Sequence, residues 1–335
     1  VENKYNLNLY CGDSLELDFN EIWGIEKFDI IIGNPPYNKS YNIGTKNGYV
    51  KPFYNEFVEK FIDQCKFLQL IIPSRWFIGG RGLEKFKNNI VKRKDIVCID
   101  HFDDATKVFG KHVLIKGGVN YFLKSFLHHR LCKFNGKKIL LSKYDIVIPN
   151  PLYYDLIDKV ANFSSITDLY CSKGSFGISL TDKNLHNNKK KYDILCYVSK
   201  QKGFIKYIKQ ENIPKFTKTC KVITTTASTA NYDCFGNIIV ADENEIHSES
   251  YISFKCENIE QAKSLASYLK SKLANVLLKL RKLTHNISAN TCSWIPLPKL
   301  DRIWTDDEIY EYFELSEKQV KLVKNAKLLG YKPSQ

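Results

Sequence analysis

The decapeptide FDIIIGNPPY, residues 28–37, changes abruptly from aliphatic residues to an asparagine and two prolines. Its first five residues form a nearly continuous apolar run rich in β-branched side chains, which predicts a strand covered on both faces. Gly33 ends this strand, and the prolines, which have a fixed φ and no N–H group, cannot continue a hydrogen-bonded ladder. We therefore expect residues 34–37 to form a stiff loop at the carboxyl end of a buried strand, where open α/β sheets bind their ligands.

The residue types in this loop suit one chemical group, an amine attached to an aromatic ring. Such an amine is a poor nucleophile because its lone pair is delocalised into the ring. Two acceptors directed at its N–H groups, the Asn34 side-chain oxygen and the Pro35 carbonyl oxygen, can draw the nitrogen toward tetrahedral geometry and free that pair. Tyr37 offers the ring a flat face, and such stacking contributes about 1–3 kcal/mol per base. The loop therefore predicts a pocket for an extruded nucleobase with an amino group.

Strand-like and helix-like segments alternate in the first half of the chain. Apolar strands are expected at 7–11, 28–32, 67–72, 96–99, 112–116 and 119–123, and helices at 52–65 and 83–91. This order favours an α/β fold with a mostly parallel, doubly wound, Rossmann-like sheet. A second run, IVIPNPLYYD at 146–155, also places Asn-Pro after aliphatic residues, but its position at the apparent domain boundary favours a connector.

The composition restricts the kinds of partner. The 335 residues are 44% hydrophobic and carry a net charge of +14, which indicates a globular protein, long enough for two domains, with a polyanionic partner. The sequence has no apolar run of transmembrane length and no signal-peptide pattern, so we expect a soluble, cytoplasmic protein. The ten cysteines are scattered without the spacing of a metal site, and we expect them to be reduced.

Lysines dominate part of the second half. Between residues 183 and 221 there are eleven lysines against only Asp193 and Glu211, and five aromatic residues lie among them. This pattern favours a groove that neutralises phosphates and offers stacking faces, with a merely solvated, lysine-rich surface as the alternative. The candidate DNA-binding lysines are Lys189, Lys190, Lys191, Lys200 and Lys202. A long amphipathic helix is expected at 259–284, and a helical appendage at 306–327.

The loop and several further segments resemble one family of enzymes. Asn-Pro-Pro-Tyr after an apolar strand is similar to motif IV of the S-adenosylmethionine-dependent amino methyltransferases, among them those that make N6-methyladenine in DNA; enzymes acting on protein glutamine and on some RNAs share it. IIPSRWFIGGRGL at 71–83, KHVLIKGGVNYFL at 111–123, and the distal part from SKGSFGISL at 172–180 to WIPLP at 294–298 look like segments of the Eco57I-like methylases of restriction-modification systems. The resemblance covers nearly the whole chain.

The resemblance implies an organisation into a methyltransferase domain at 1–154, a smaller α+β target-recognition domain at 155–300, and a C-terminal appendage at 301–335. S-adenosylmethionine is the implied cofactor, double-stranded DNA the implied substrate, and a restriction endonuclease an implied partner or fused domain. Only twelve residues precede Asp13, whereas the family's Gly-rich motif I should lie well before it. We therefore expect a longer protein, with the first strands of the sheet outside this sequence.

Matched position by position, the family's motifs imply roles for single residues. The target adenine would be held and activated by Asn34, Pro35, Pro36 and Tyr37. Asp13, in GDSL, would accept a hydrogen bond from the cofactor's adenine amine, with a turn or N-cap aspartate as the alternative. Phe122 would face the other side of the flipped base, unless it belongs to the core. Arg75 and Arg81 would contact phosphate, unless they form ordinary surface ion pairs.

The implied reaction is direct transfer, in which adenine N6 attacks the sulfonium methyl group without a covalent enzyme intermediate and without a metal. A cytosine-C5 methyltransferase is disfavoured, because the sequence has no Pro-Cys pair to supply a nucleophile. Three alternatives stay open: a protein-glutamine methyltransferase, a DNA-binding specificity or scaffold subunit whose methylase half has decayed, and a methylase fused to a nuclease.

Overall fold

The computed structural model describes residues 9–41, 49–115, 117–128, 130–199, 203–227, 233–282 and 286–332. The chain divides into two compact units, Val1–Pro151 and Leu152–Gln335. The division falls within the segment IVIPNPLYYD, where the sequence suggested a connector and a boundary at residue 154. Residues 301–335, which the sequence suggested as a separate appendage, belong to the second unit.

The first unit contains four helices and eight strands in the described residues. Its helices are α1 (Phe19–Trp23), α2 (Tyr54–Phe61), α3 (Glu84–Lys92) and α4 (Thr106–Phe109). Its strands are β1 (Phe28–Gly33), β2 (Asn38–Tyr41), β3 (Tyr49–Pro52), β4 (Cys65–Pro73), β5 (Ile96–Phe102), β6 (Val119–Ser125), β7 (Cys132–Phe134) and β8 (Lys137–Ile139). Residues 112–115 form no strand, contrary to the prediction for 112–116; residues 7 and 8 of the predicted first strand, and residue 116, lie outside the described part.

Six of these strands form one sheet in the order β1-β4-β6-β5-β7-β8. β1 and β4 are parallel, with α2 between them in the chain, and β5 and β7 are also parallel. β6 runs antiparallel to both β4 and β5. The predicted α/β sheet with parallel strands is confirmed, because β1, β4, β5 and β7 run in one direction and only β6 and β8 run against it in the described residues. Apolar periodicity does not report strand direction, so it could not predict which strands are reversed.

The two faces of this sheet differ in burial. Leu70, Phe122 and Ile99 lie opposite one another on β4, β6 and β5, and each is at most 4% exposed. On the other face of β1, Ile30 is 59% and Ile32 is 73% exposed. The prediction that 28–32 is covered on both faces is therefore wrong for the described residues, because none of them covers this face of β1. β1 is also the edge strand and pairs only with β4 among the described residues.

The second unit contains two small sheets and six helices in the described residues. One sheet has the order β11-β10-β14 and the other the order β13-β12-β15-β9. The strands are β9 (Tyr170–Cys171), β10 (Asp193–Tyr197), β11 (Ile205–Lys209), β12 (Cys220–Thr225), β13 (Ile239–Ala241), β14 (Glu245–His247) and β15 (Tyr251–Cys256). The helices are α5 (Tyr154–Val160), α6 (Ile259–Leu269), α7 (Lys272–Arg281), α8 (Ala289–Cys292), α9 (Asp306–Tyr312) and α10 (Glu317–Lys324).

The described part of the amphipathic segment, 259–282, forms two helices, not one, and residues 283 and 284 lie outside the described residues. α6 ends at Leu269, and Ser271 then caps α7, its side chain accepting a hydrogen bond from the Ala274 N–H. The apolar spacing continues across this break, which explains why periodicity alone merged the two helices. No helix in the described part of the chain is long and apolar enough to cross a membrane.

Candidate active site

The loop at residues 34–37 is held at both of its ends. It leaves the carboxyl end of β1 and leads directly into β2, which forms a hairpin with β3. The Phe53 N–H donates a hydrogen bond to the Tyr37 carbonyl oxygen at 2.9 Å, and Asn38 lies opposite Pro52 in the hairpin. Since two of its four residues are prolines, the loop has little conformational freedom between these anchors.

Within this loop Asn34 presents an uncommitted side chain. Asn34 and Pro36 are exposed, while Pro35 between them is buried. Within the described ranges, no hydrogen bond reaches the Asn34 carboxamide, so its oxygen and both its N–H groups are open to a ligand. A polar group held next to a buried proline is positioned before any ligand arrives.

Tyr37 is placed with its ring partly open and its hydroxyl enclosed. Its ring makes an edge-on contact with Phe109 of α4, at 6.4 Å between centroids and 61° between planes. The hydroxyl is buried and has no hydrogen-bond partner among the described residues. Burial raises the pKa of Tyr37 to about 12, so the side chain is neutral at physiological pH. Its contribution to binding therefore comes from the ring and not from a charge. No sequence signal points to Phe109, because its approach to Tyr37 depends on tertiary packing.

Asp13 lies in an exposed turn before α1. Its Oδ1 accepts a hydrogen bond from the Leu15 N–H at 2.9 Å, which is the local contact expected of a turn aspartate. Its second oxygen makes no contact with any described residue, and it can accept a hydrogen bond from an amine. Asp13 therefore fits the role of a cofactor ligand in its chemistry, and the structure shows no direct contact between it and residues 34–37.

Arg75 and Arg81 follow the carboxyl end of β4. Arg75 is half-buried, and its Nε is buried without a partner, while Arg81 is exposed. Burial, and then the nearby charge of Arg81, lower the pKa of Arg75. Neither arginine forms an ion pair with any described residue, which removes the alternative of an ordinary surface pair within that part of the chain. Two neighbouring cations without a carboxylate suit an anionic ligand.

The backbone that carries Arg81 is unusual. The residues from Gly79 to Gly82 all have a positive φ, and three of these four are glycines. Arg81, at φ +54°, is the exception, and a left-handed conformation of a residue with a long side chain costs about 1–3 kcal/mol. Strain of this kind persists where the surrounding structure imposes it, and it often marks a functional position.

Phe122 occupies a different environment from the one suggested for it. It lies in β6 between Leu70 and Ile99 and is 1% exposed. A ring enclosed by the core on both sides has no face for a base, so the structure supports the alternative assignment to the core. We therefore omit Phe122 from the site.

A buried polar cluster beside Arg75 escaped the sequence analysis. Ser74 Oγ lies 2.8 Å from His101 Nδ1, and the Asn120 amide donates to the same Oγ at 3.1 Å. His101 Nε2 lies 2.7 Å from Asp103, whose side chain is 89% exposed. The residue types are those of a hydrolase triad, but the Ser74 hydroxyl is buried and already accepts a hydrogen bond. The cluster therefore fixes the chain at the carboxyl end of β4, next to Arg75.

Three of the five lysines expected to bind DNA lie in the described residues. Lys189, Lys190 and Lys191 are exposed, whereas Lys200 and Lys202 lie outside the described residues. The Lys191 ammonium lies 5.3 Å from the ring centroid of Tyr192, which is 80% exposed. Tyr192 therefore offers a face for stacking, unlike Tyr197, which is 8% exposed. No group of three or more His, Cys, Asp or Glu residues able to hold a metal occurs among the residues searched, which are those the structure describes.

Residues 5–109 match the sequence model of the Eco57I restriction-modification methylase family. An uncharacterised adenine-specific methylase from Mycoplasma pneumoniae is 39% identical to this chain over 135 residues, which is 40% of this chain and 30% of that protein. These findings confirm the predicted resemblance for residues 5–109, whereas the segments at 111–123, 172–180 and 294–298 lie outside the family match. The match to the family contains Asp13, the loop at 34–37, Arg75 and Arg81, but neither Phe122 nor the lysine-rich segment.

Two solved restriction enzymes have limited structural similarity to the chain. The type IIG restriction endonuclease BpuSI is 10% identical with a TM-score of 0.37, and the match covers 86% of this chain and 45% of BpuSI. The type IIL enzyme MmeI, solved in complex with DNA, is 11% identical with a TM-score of 0.41, and the match covers 84% of this chain and 48% of MmeI. The chain thus spans less than half of either enzyme, and the proposed function does not depend on these two structural similarities.

Proposed function

We propose that this chain transfers a methyl group to N6 of an adenine flipped out of double-stranded DNA, as part of a restriction-modification system in the cytoplasm. The observation that carries the proposal is the loop at 34–37, in which the exposed, unpaired carboxamide of Asn34 adjoins the buried Pro35 and the partly open ring of Tyr37. The match to the methylase family covers this loop and supports the proposal.

The loop acts on the target amine by accepting its two hydrogen bonds. Asn34 Oδ1 and the Pro35 carbonyl oxygen take one N–H each, which favours a tetrahedral nitrogen with an available lone pair. Pro36 keeps the loop rigid, and the ring of Tyr37 stacks on the base. Stacking of about 1–3 kcal/mol per base is similar to the few kcal/mol that flipping a base costs. The extruded adenine is therefore held at little net cost.

S-adenosylmethionine, when bound, supplies the methyl group from its sulfonium centre. Asp13 would hold it by accepting a hydrogen bond from its adenine amine through the carboxylate oxygen that has no hydrogen-bond partner among the described residues. In this transfer N6 would form a bond to the methyl carbon as the carbon–sulfur bond breaks and leaves a neutral thioether, and N6 would then lose one proton to water. The part of this chain in the reaction is to orient the amine, and it needs no covalent intermediate.

DNA is the proposed substrate because of the charge and the unpaired cations of the chain. The net charge is +14, and Arg75 and Arg81 have no acidic partner among the described residues. These arginines would contact phosphates near the flipped base. Lys189, Lys190 and Lys191 of the second unit, with Lys200 and Lys202 on sequence grounds alone, would contact phosphates in a target-recognition role. A restriction endonuclease, as a separate partner or a fused domain, completes the proposed system.

Single-residue variants of the loop test this proposal directly. The protein is expressed from its full-length gene, and host DNA is examined by single-molecule sequencing, which reports the modified base and its context together. Asn34→Ala should abolish N6-methyladenine while DNA binding stays nearly unchanged. Asn38→Ala, an exposed asparagine four residues further along the chain, is the matched control and should retain methylation.

Other outcomes would select an alternative. Methylation that survives Asn34→Ala would reject the loop as the catalytic element. Radiolabel transferred to a release factor but not to DNA would favour a protein-glutamine methyltransferase. Failure of the full-length protein to bind S-adenosylmethionine by calorimetry would favour a DNA-binding scaffold.

A further inference from the structure

The second unit contains a cavity of about 300 Å³ beside the sheet β13-β12-β15-β9. Its lining carries many hydrogen-bond donors and no Asp or Glu side chain. Six of the residues that line it are Ser172, Ser175, Thr217, Thr219, Lys221 and Lys255. A cavity with two ammonium groups, several hydroxyls and no carboxylate favours an anion.

The two lysines are neighbours across the sheet. Lys221 of β12 lies directly opposite Lys255 of β15 in the antiparallel ladder, so both side chains leave the same face. Cβ atoms of such a pair are about 4.5–5.5 Å apart, and like charges in this arrangement destabilise a sheet. Lys255 is exposed, whereas Lys221 is 1% exposed. The sheet therefore tolerates a like-charged pair with one member in its interior.

The contacts of Lys221 leave it able to bind a ligand. Its ammonium donates to the carbonyl oxygens of Asp242, at 2.9 Å, and Glu245, at 2.6 Å. An ammonium group has three N–H donors, so one has no acceptor among the described residues. The lysine side chain also lies 5.7 Å from the ring centroid of Phe176 in the cavity wall. Burial lowers the pKa of Lys221 to about 8, and a bound anion would oppose this change.

The hydroxyl groups narrow the class of anion. Ser175 already donates to the Ser172 carbonyl oxygen at 2.5 Å, whereas the hydroxyls of Thr217 and Thr219 have no protein partner in the described ranges. Two ammonium groups and two hydroxyl groups suit a tetrahedral oxyanion, which has acceptor oxygens for several donors, better than a planar carboxylate. The volume also exceeds what a bare ion needs, and it leaves room for an attached organic group.

We propose that this cavity is a phosphate-binding site, in which Lys255, Lys221, Thr217 and Thr219 hold a phosphate group carried on an organic ester. The phosphate belongs either to the backbone of a nucleic acid or to a small phosphate ester. The site is distinct from the loop at 34–37, because all the residues that line it belong to the second unit.

The test measures inorganic phosphate binding to the full chain. The midpoint of thermal unfolding is followed against phosphate concentration at constant ionic strength, with chloride as the counter-titrant. Phosphate should raise the midpoint, and Lys255→Gln should raise the half-saturating concentration at least tenfold. Thr219→Val, which replaces only the hydroxyl by a methyl group, should raise it several-fold. Lys215→Gln removes the same charge from an exposed lysine outside the cavity and should leave the value unchanged.

The two sources of phosphate are separated by competition. If duplex DNA of twelve base pairs displaces phosphate from the wild-type protein, the site is one for a nucleic-acid backbone. If the duplex does not, while a nucleoside monophosphate does, the site is one for a small ester, and the proposal also stands. Equal effects of Lys255→Gln and Lys215→Gln, or no effect of Lys255→Gln, would overturn it. Both lysines are exposed, and unchanged unfolding midpoints in chloride would show that the variants fold.

Discussion

Replacing Tyr37 with Phe separates the effect of its ring from that of its hydroxyl. The hydroxyl is buried without a partner in the described structure, whereas the ring is partly open and contacts Phe109. A buried polar group left unpaired costs about 1–3 kcal/mol. Since Phe removes the hydroxyl and keeps the ring, Tyr37→Phe should stabilise the first unit by about 1 kcal/mol at the low end of that range.

The same residue gives a matched prediction for catalysis. If only the ring of Tyr37 acts, Tyr37→Phe should methylate DNA at nearly the wild-type rate. Tyr37→Ala removes a stacking contribution of about 1–3 kcal/mol, which corresponds to a loss of about 5-fold to 150-fold in kcat/KM. Because burial raises the pKa of the hydroxyl to about 12, the activity of the wild type should show no titration of Tyr37 below pH 10.

The assay pairs stability with turnover. The two units need not unfold together, so the free energy of local unfolding is best measured by hydrogen exchange at the amides of β1 and β4 in increasing urea. Methyl transfer from radiolabelled S-adenosylmethionine to duplex DNA gives kcat/KM for the three proteins. If the Phe variant is less stable than wild type by more than about 1 kcal/mol, the conclusion that the Tyr37 hydroxyl has no hydrogen-bond partner is refuted. A Phe variant as inactive as the Ala variant would refute a role that needs the ring alone.

Three further predictions concern other parts of the chain. Gly118→Ala should destabilise the first unit by more than about 3 kcal/mol in urea unfolding, because a Cβ at φ +74° would lie 2.1 Å from the Phe102 carbonyl oxygen. His247 is fully buried, and burial lowers its pKa to about 4. As the pH falls, this side chain therefore becomes protonated in the unfolded chain before it does so in the folded one. The second unit should therefore lose stability as the pH falls from 6.5 to 4, by at most about 3 kcal/mol, and His247→Gln should remove this slope in unfolding free energy. Arg75→Gln and Arg81→Gln should each weaken DNA binding equally for all sequences and reduce the slope of log affinity against log salt by about 1, whereas an unchanged slope would exclude phosphate contacts.

The parts of the fold that sequence predicted are those set by neighbouring residues. The strand at 28–32 and the loop after it follow from an apolar run that meets Gly33 and two prolines, and the structure has both. The helix expected at 52–65 is Tyr54–Phe61, because its ends are taken by the adjoining strands β3 and β4. The break at Ser271 was missed, since a serine cap carries no signal as strong as glycine or proline.

The parts that sequence missed depend on residues far apart in the chain. The exposure of Ile30 and Ile32 shows that no described element covers that face of β1, which composition cannot reveal. Ser74 meets His101 across the sheet, and Lys221 meets Lys255 in a ladder, so neither pair forms a motif. A loop encoded within four consecutive residues was therefore easier to predict than polar clusters assembled by strand pairing.

β1 has no strand partner on its outer side among the described residues, and this favours aggregation of the isolated chain in solution. An edge strand offers a row of backbone N–H and C=O groups to any extended peptide, and Ile30 and Ile32 add exposed apolar side chains beside it. Natural edges are usually blunted by charges or prolines, and this one lacks both between Ile30 and Gly33. The isolated chain should therefore be kept at low concentration, and Ile32→Lys is the first substitution to try against aggregation.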